Sequence, residues 1–369
     1  MEKKLTIMIL LMMAAGFATV TMDSMPEQSG EIMTTAMAIS AIPVQIFETY
    51  IVEKLRKVNP FMVHCVDETA SVLGGSVVHI PNAGASPTVV KNRTTFPATA
   101  VQRADTHVTY GLDVFSTTPT HVTWQEENEI SYDKTDSVLA DHVATLTEAV
   151  GDDMIYNWLK GKNAQGNDET IPEANIVYTT GDPRAASETG QTGQRKKVTA
   201  ADVRTLQTMM NKMNVPKEGR YLMMESEMYA ELMDSLSSNQ MAAYQQTADV
   251  ANGVLGKLYG FNIMERSTVT HFNAHADASG TAGQPGYVAA VPAAPIAPGT
   301  ALNATDNVAC IAWQKDSVAK ALGDIKPFQS MDDPMYYGDV FSAAVKAGGR
   351  CRRADWAGVL ALVQGTPSE

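Results

Sequence analysis

His271 and His275 form the pattern in this chain that comes nearest to a metal site, and Asp277 follows them closely. Two histidines at i and i+4 can chelate a metal from one helix face. Here the pair leads into a Gly- and Ala-rich stretch, encloses no glutamate that could act as a general base, and has no third ligand at a fixed spacing. We therefore interpret the pair as part of a solvated loop and predict no metal site.

Other candidate patterns have structural explanations. Gly253 and Gly256-Lys257 suggest a phosphate loop, but no glycine stands five residues before Gly256, and Leu258 replaces the required Ser or Thr. Residues 332–334, Asp-Asp-Pro, are typical of a turn. A carboxylate cluster precedes a predicted helix, where the helix dipole favours negative charge; its members are Glu126, Glu127, Glu129 and Asp133. We predict no catalytic residue and no cofactor, so the chain is not expected to be an enzyme.

Composition indicates a folded protein that does not bind nucleic acid tightly. The length of 369 residues suggests one large or two moderate domains. With 44% hydrophobic and 19% charged residues, the composition is sufficient for a hydrophobic core. The formal net charge is -13, whereas proteins that bind DNA through phosphate contacts usually present a basic face. The chain could therefore enclose nucleic acid without sequence-specific binding.

The cysteines and the N-terminal residues indicate in which cellular compartment the protein folds. Cys65, Cys310 and Cys351 are far apart and form no CxxC pair, which predicts three buried, reduced thiols. Lys3 and Lys4 precede an apolar run at 5–20, a pattern typical of a secretory signal peptide. The competing interpretation is an apolar arm that packs on a neighbouring subunit.

The clearest predicted element is an amphipathic helix at 137–158, followed by a Gly-rich polar segment at 162–197 with one short strand at 176–178. The apolar residues of this helix recur every three to four positions, at Leu139, Val143, Leu146, Val150, Met154 and Trp158.

Residues 72–124, which precede this helix, have β character, with a strand at 77–80 and no clear apolar face at 101–110. A two-stranded excursion with little core of its own is marginally stable alone. We therefore predict that it lies on another copy of the chain.

The C-terminal half is predicted to be α/β. Thr199 and Asp202 form a capping box, and Ser226 is a predicted cap of the next helix. A Gly/Ala/Pro-rich loop occupies 273–306, and Gly348-Gly349 separate the last two strands. The predicted elements are strands at 220–224, 261–264, 308–313, 340–346 and 358–363, and a short helix at 316–322 closed by Gly323.

This order of elements resembles the major capsid proteins of tailed bacteriophages with the Hong Kong 97-type fold. The residues that carry the resemblance lie at 78–82, 118–124, 130–139, 253–266 and 313–323. It covers roughly residues 40–369. It implies an α+β capsid fold with an N-terminal arm, an extended β loop, a long spine helix, peripheral and axial domains, and a C-terminal strand hairpin.

The resemblance also implies a division of the chain and a function. The expected regions are an N-terminal arm, the extended β loop with flanking strands, the spine helix with a peripheral-domain loop, the axial domain, and C-terminal peripheral-domain strands, at 1–65, 66–130, 131–200, 201–322 and 323–369. The expected function is self-assembly into hexamers and pentamers of an icosahedral head that encloses double-stranded DNA, built in the bacterial host cytoplasm. Scaffold, portal and decoration proteins are the further partners implied.

Two alternatives remain open. An encapsulin-like compartment shares the architecture but stores an enzyme cargo, and neighbouring genes would separate it from a phage head. A secreted surface-layer protein is favoured by residues 1–20 alone.

Overall fold

The structure, a computed structural model, describes residues 59–72, 77–98, 100–124, 134–162, 168–247, 249, 253–274 and 293–367. The described part of the chain contains two large β-sheets, of six and seven strands, and a long helix packs against both. The α-helices are α1 (Lys134–Leu159), α2 (Ala200–Lys212), α3 (Ser226–Ser235) and α4 (Ser238–Gln245). None of these described helices combines the length and the apolar character needed to cross a membrane.

The strands are β1 (Val66–Asp67), β2 (Val77–Asn82), β3 (Thr106–Gly111), β4 (Asp113–Ser116), β5 (Thr120–Thr123), β6 (Lys160–Lys162), β7 (Asp168–Thr170), β8 (Ile176–Tyr178), β9 (Pro183–Ala185), β10 (Gln194–Lys196), β11 (Arg220–Glu225), β12 (Gly256–Leu258), β13 (Phe261–Arg266), β14 (Thr270–Phe272), β15 (Asn307–Gln314), β16 (Val318–Leu322), β17 (Lys326–Asp333), β18 (Gly338–Cys351) and β19 (Val359–Val363).

Helix α1 confirms the predicted amphipathic helix and extends it by a few residues at its N-terminus. The second half of the predicted stripe is buried, with Met154 and Trp158 at most 1% exposed. The first half of the stripe is less buried than the pattern predicted, since Val143 is 40% exposed. The helix is therefore anchored to the core mainly through its C-terminal half.

The six-stranded sheet is built on β18, which pairs with β16 and β17 and also with β4 and β5. The predicted helix at 316–322 is wrong: a 3-10 turn, Lys315–Ser317, leads directly into β16, which pairs with β1 and β18. The prediction that Gly348 and Gly349 separate two strands is also wrong. Both lie inside β18, where a Cβ on Gly349 would fall 2.6 Å from the Ala319 carbonyl oxygen.

The seven-stranded sheet contains the deepest core. Its order is β12-β13-β11-β15-β19-β8, with β14 also on β15, and every residue of β15 is buried. Such a strand reads as a continuous apolar run because both faces of the sheet are covered. The predicted strands at 176–178, 220–224, 261–264 and 308–313 are confirmed.

Three strand predictions need correction. The last two strands do not form a hairpin, since β18 belongs to the six-stranded sheet and β19 pairs with β15 and β8. Residues 113–123 are not part of a free arm, because β4 and β5 pair with β18 of the same chain. The polar segment at 162–197 holds more than one strand, and its β9 and β10 pair with each other.

The helix caps illustrate local sequence control. The capping box between Thr199 and Asp202 is confirmed, with the Thr199 N–H donating to the Asp202 carboxylate at 2.8 Å. Ser226 is not the cap of α3; the Glu225 carboxylate accepts from the N–H groups of Glu227 and Met228 at 2.9 and 3.0 Å. Glu225 occupies the position before the first helical turn, where a carboxylate satisfies otherwise unpaired N–H groups.

Candidate interaction site

Strands β2 and β3 form a two-stranded ribbon. Its paired residues, 77–82 and 106–111, are called the root of the ribbon and have one apolar face. Alternate side chains on this face are buried, with Ile80 7% and Val108 4% exposed. They pack on Ala321 of β16 and on Leu112. The predicted strand at 77–80 is confirmed and includes Pro81, and the second strand has an apolar face that its sequence pattern did not reveal. The ribbon therefore packs against the rest of the described chain, called the body, through a small apolar contact.

Beyond its root the ribbon continues as an exposed loop. Every described residue from 85 to 107 is exposed, including Val89 at 92%, Phe96 at 75% and Val101 at 88%. Within the loop, the Gly84 N–H donates to the Asp105 carboxylate at 2.8 Å, and Arg103 donates to the same group and holds the pKa of Asp105 below its usual range. Large apolar side chains at this exposure are typical of an interaction surface when they occur together.

The loop also differs from the rest of the chain in charge. Between residues 83 and 105 it carries three basic residues (Lys91, Arg93 and Arg103) and one acidic residue, Asp105. The whole chain has a formal net charge of -13. Long-range electrostatic attraction would therefore favour contact between this loop and the acidic surface of another copy.

Polar contacts join the ribbon root to the body. The Tyr110 hydroxyl donates to Oε2 of Glu68 at 3.0 Å, and Nε of Arg352 donates to Oε1 of the same carboxylate at 3.0 Å. Burial and the charge of Glu68 both raise the pKa of Tyr110, which keeps its hydroxyl a donor. The Asn82 amide donates to the Arg352 carbonyl at 3.1 Å, and Arg350 donates to the Thr109 carbonyl at 2.7 Å.

The structure explains most residues that the sequence offered for chemistry. Nε2 of His271, on β14, lies 2.8 Å from Oε2 of Glu188. Gly256 packs against the Tyr244 ring, where a Cβ would fall 2.6 Å from ring carbons. The turn predicted at 332–334 lies slightly later in the chain: β17 ends at Asp333, the turn occupies 334–337, and the Asp333 carboxylate accepts the Met335 N–H at 2.9 Å. His275, Asp277 and the carboxylates at 126–133 lie outside the described residues.

The three cysteines are free and buried, as predicted. Burial raises the pKa of Cys65 to about 12 and that of Cys351 to about 11, and it also raises the pKa of Cys310. Within the described part of the chain, no group of three or more His, Cys, Asp or Glu side chains is placed to hold a metal ion.

Sequence reasoning did not find Glu68, Tyr110, Arg350 or Arg352. Glu68 and Arg352 are 284 positions apart, and neither stands in a recognisable motif. The only signal was indirect: an excursion with little core needs a polar or apolar anchor at its root.

No protein-family model and no curated protein matches this sequence. Comparison with solved structures gives clear matches. The chain superimposes on the capsid structure of cyanophage P-SCSP1u with a TM-score of 0.58 at 16% identity, covering 94% of this chain and 100% of that one. It matches the capsid asymmetric unit of cyanophage Pam1 with a TM-score of 0.59 at 11% identity, covering 91% and 100%.

A chain from Mycobacterium phage Che8 matches with a TM-score of 0.54 at 18% identity, covering 88% of this chain and 98% of that one. The identities are low, but the coverage of both chains is nearly complete in all three cases. The α+β architecture with its projecting ribbon, long helix and two sheets is therefore the Hong Kong 97-type capsid fold.

Proposed function

We propose that this chain is the major capsid protein of a tailed bacteriophage, which assembles into hexamers and pentamers of an icosahedral head around double-stranded DNA. The observation that carries the proposal is the largely exposed loop at 83–105, which carries apolar and basic side chains, on a body with the capsid fold. Such a loop gains stability when it lies across another subunit. Head-to-tail contacts of this kind close into rings.

The expected regions at 1–65, 66–130, 131–200, 201–322 and 323–369 remain part of the proposal, with two refinements. Strands β4 and β5 belong to the body, and β19 belongs to the seven-stranded sheet. The partners are other copies of the chain, with scaffold, portal and decoration proteins as further partners. An acidic shell repels packaged DNA and so avoids trapping it during filling.

The test is assembly of the purified full chain, followed by size-exclusion chromatography and negative-stain microscopy. We expect closed particles from the wild type. A triple variant, Val89→Ser, Phe96→Ser and Val101→Ser, should keep the melting temperature of the subunit but lose particles. A control, Val63→Ser with Leu302→Ser, removes exposed apolar side chains from the body and should still assemble.

Wild-type protein that stays monomeric at every concentration would overturn the proposal. Equal assembly by the triple variant would overturn the role of the loop. Particles that contain a co-purified enzyme instead of nuclease-protected DNA, when isolated from the native host, would favour the encapsulin-like alternative. N-terminal sequencing that shows loss of residues 1–20 would favour export.

A further inference from the structure

We propose that Glu68, Arg352 and Tyr110 form a positioning clamp that fixes the angle between the ribbon and the body, and that this angle sets the curvature of the shell. The clamp itself is a property of the single chain. Its effect on shell curvature rests on the proposed function. The three residues are far apart in sequence and meet at one carboxylate.

The apolar contact at the ribbon root is too small to fix a direction. From the body, one buried side chain, Ala321, contributes to the cluster that contains Val78, Ile80, Val108 and Tyr110. Apolar packing is non-directional. Hydrogen bonds depend on angle and therefore hold an orientation.

The polar contacts attach the ribbon at two separated levels, and the hydrogen bond from Arg350 to the Thr109 carbonyl lies one residue pair from the Tyr110 level. Tyr110 on β3 is opposite Val78, and Asn82 at the end of β2 is opposite Thr106. These two levels are four residue pairs apart, which corresponds to about 13 Å along the ribbon. Tyr110 binds Glu68 at one level, and Asn82 binds the Arg352 carbonyl at the other. Two attachments at this distance restrain tilt, which a single attachment would leave free.

The body holds its side of the clamp in place. The Glu68 N–H donates to the Lys320 carbonyl of β16 at 2.9 Å, and the Arg352 N–H donates to the Ser317 carbonyl at 2.8 Å. The side chains of Glu68 and Arg352 are 12% and 33% exposed, so their ion pair is partly shielded from water. Charge-assisted hydrogen bonds in such surroundings are stronger than those at a fully exposed site.

A small change in this angle would be amplified along the loop. An extended chain of about ten residues reaches ~33 Å, so a rotation of about 5° moves its far end by ~3 Å. The exposed side chains that we propose as the contact surface, such as Phe96, lie in the loop beyond the paired strands β2 and β3. The clamp would therefore control where the loop meets the next copy.

Three substitutions test the clamp with little change in volume. Tyr110→Phe removes one hydroxyl, Glu68→Gln removes the charge that Arg352 pairs with, and Arg352→Met removes the guanidinium. Arg352→Lys keeps the positive charge and should restore part of the wild-type behaviour. The matched control is Arg353→Gln, which breaks the ion pair between Arg353 and Asp355 at 2.8 Å, whose side chains are 54% and 58% exposed.

The first readout needs no assembly. Spin labels at Val101→Cys and Asp234→Cys report the distance between the loop and the body, and the buried native thiols should remain unlabelled. We expect the distance distribution of the subunit to broaden at least twofold in Glu68→Gln and Tyr110→Phe and to stay unchanged in Arg353→Gln. An unchanged distribution in both clamp variants overturns the clamp.

The second readout is particle diameter by electron microscopy. We expect clamp variants to give particles with a wider spread of diameters and more open sheets, and the control to match the wild type. Wild-type diameters in variants whose distance distribution has broadened would overturn the link to curvature. If the wild type forms no particles, the proposed function fails and the link to curvature fails with it, while the distance measurement still decides the clamp.

Discussion

Trp158 on α1 donates its indole N–H to the backbone carbonyl of Ala319 on β16 at 3.0 Å, and the Trp158 side chain is fully buried. The ring also lies edge-on to Phe61, with ring centroids 5.6 Å apart. One side chain thus fixes the long helix to the six-stranded sheet and to the segment that precedes β1. This joint supports the sheet from which the ribbon projects.

Replacement of Trp158 by Phe should lower the free energy of unfolding by about 2–4 kcal/mol, because it leaves a cavity and removes the partner of a buried carbonyl. Chemical denaturation of the subunit measures this change. Trp124→Phe is the control, since Trp124 is 69% exposed, and its effect should stay within ~0.5 kcal/mol. Equal effects of the two substitutions would contradict this role for Trp158.

Gly349→Ala should destabilise the same joint. A Cβ at this position would fall 2.6 Å from the Ala319 carbonyl oxygen and 3.3 Å from Nε1 of Trp158, so the helix and the sheet would have to separate. We expect a loss of about 1–3 kcal/mol, in the range for an overpacked core. Ser342→Ala on the same strand serves as the control, because Ser342 is only partly buried. A melting temperature equal to that of the control would show that the site tolerates a methyl group.

Asp153 predicts a pH dependence of stability. Burial, and then the negative charge of Asp113, raise the pKa of Asp153 from 3.8 to about 6, against a lowering contribution from its hydrogen bond with Asn157. A carboxyl whose pKa is raised by folding binds its proton more tightly in the folded state. Its contribution therefore becomes more favourable as the pH falls from above 6 towards 4.

Asp153→Asn should remove this dependence and stabilise the subunit at pH 8 by about 1 kcal/mol, because the neutral amide avoids the cost of burying charge. Its oxygen can still accept from Asn157, which donates at 2.6 Å in the wild type. Asp234→Asn, which removes the same charge at an exposed position, is the control for the change in net charge. Unfolding curves at pH 5, 6, 7 and 8 give the comparison, and a variant that is less stable at pH 8 would contradict the expectation.

The three thiols should be unreactive in the folded protein. All are buried, and burial raises the pKa of each, so little thiolate is present at pH 8. A colorimetric thiol reagent should detect none of them in native buffer and three after unfolding in guanidinium. Rapid reaction of one thiol in native buffer would show that its surroundings open more readily than this packing implies.

The sequence alone determined the elements that depend on residues close together in the chain. The stripe through Leu146, Val150, Met154 and Trp158 predicted the buried face of α1, and Thr199 with Asp202 predicted the start of α2. Each depends on residues only three or four positions apart, whose side chains meet because of helix periodicity. The buried run of β15 was also readable, since a strand covered on both faces is apolar throughout.

The tertiary structure alone decided the pairing of strands and the anchor of the ribbon. Residues 318–322 form a strand and not a helix because β1 and β18, from distant parts of the chain, supply its hydrogen bonds. Gly348 and Gly349 continue β18 because close packing there requires the absence of a side chain. Glu68 meets Arg352 across 284 positions for the same reason: contacts between distant residues depend on how whole elements pack, and local sequence does not encode that packing.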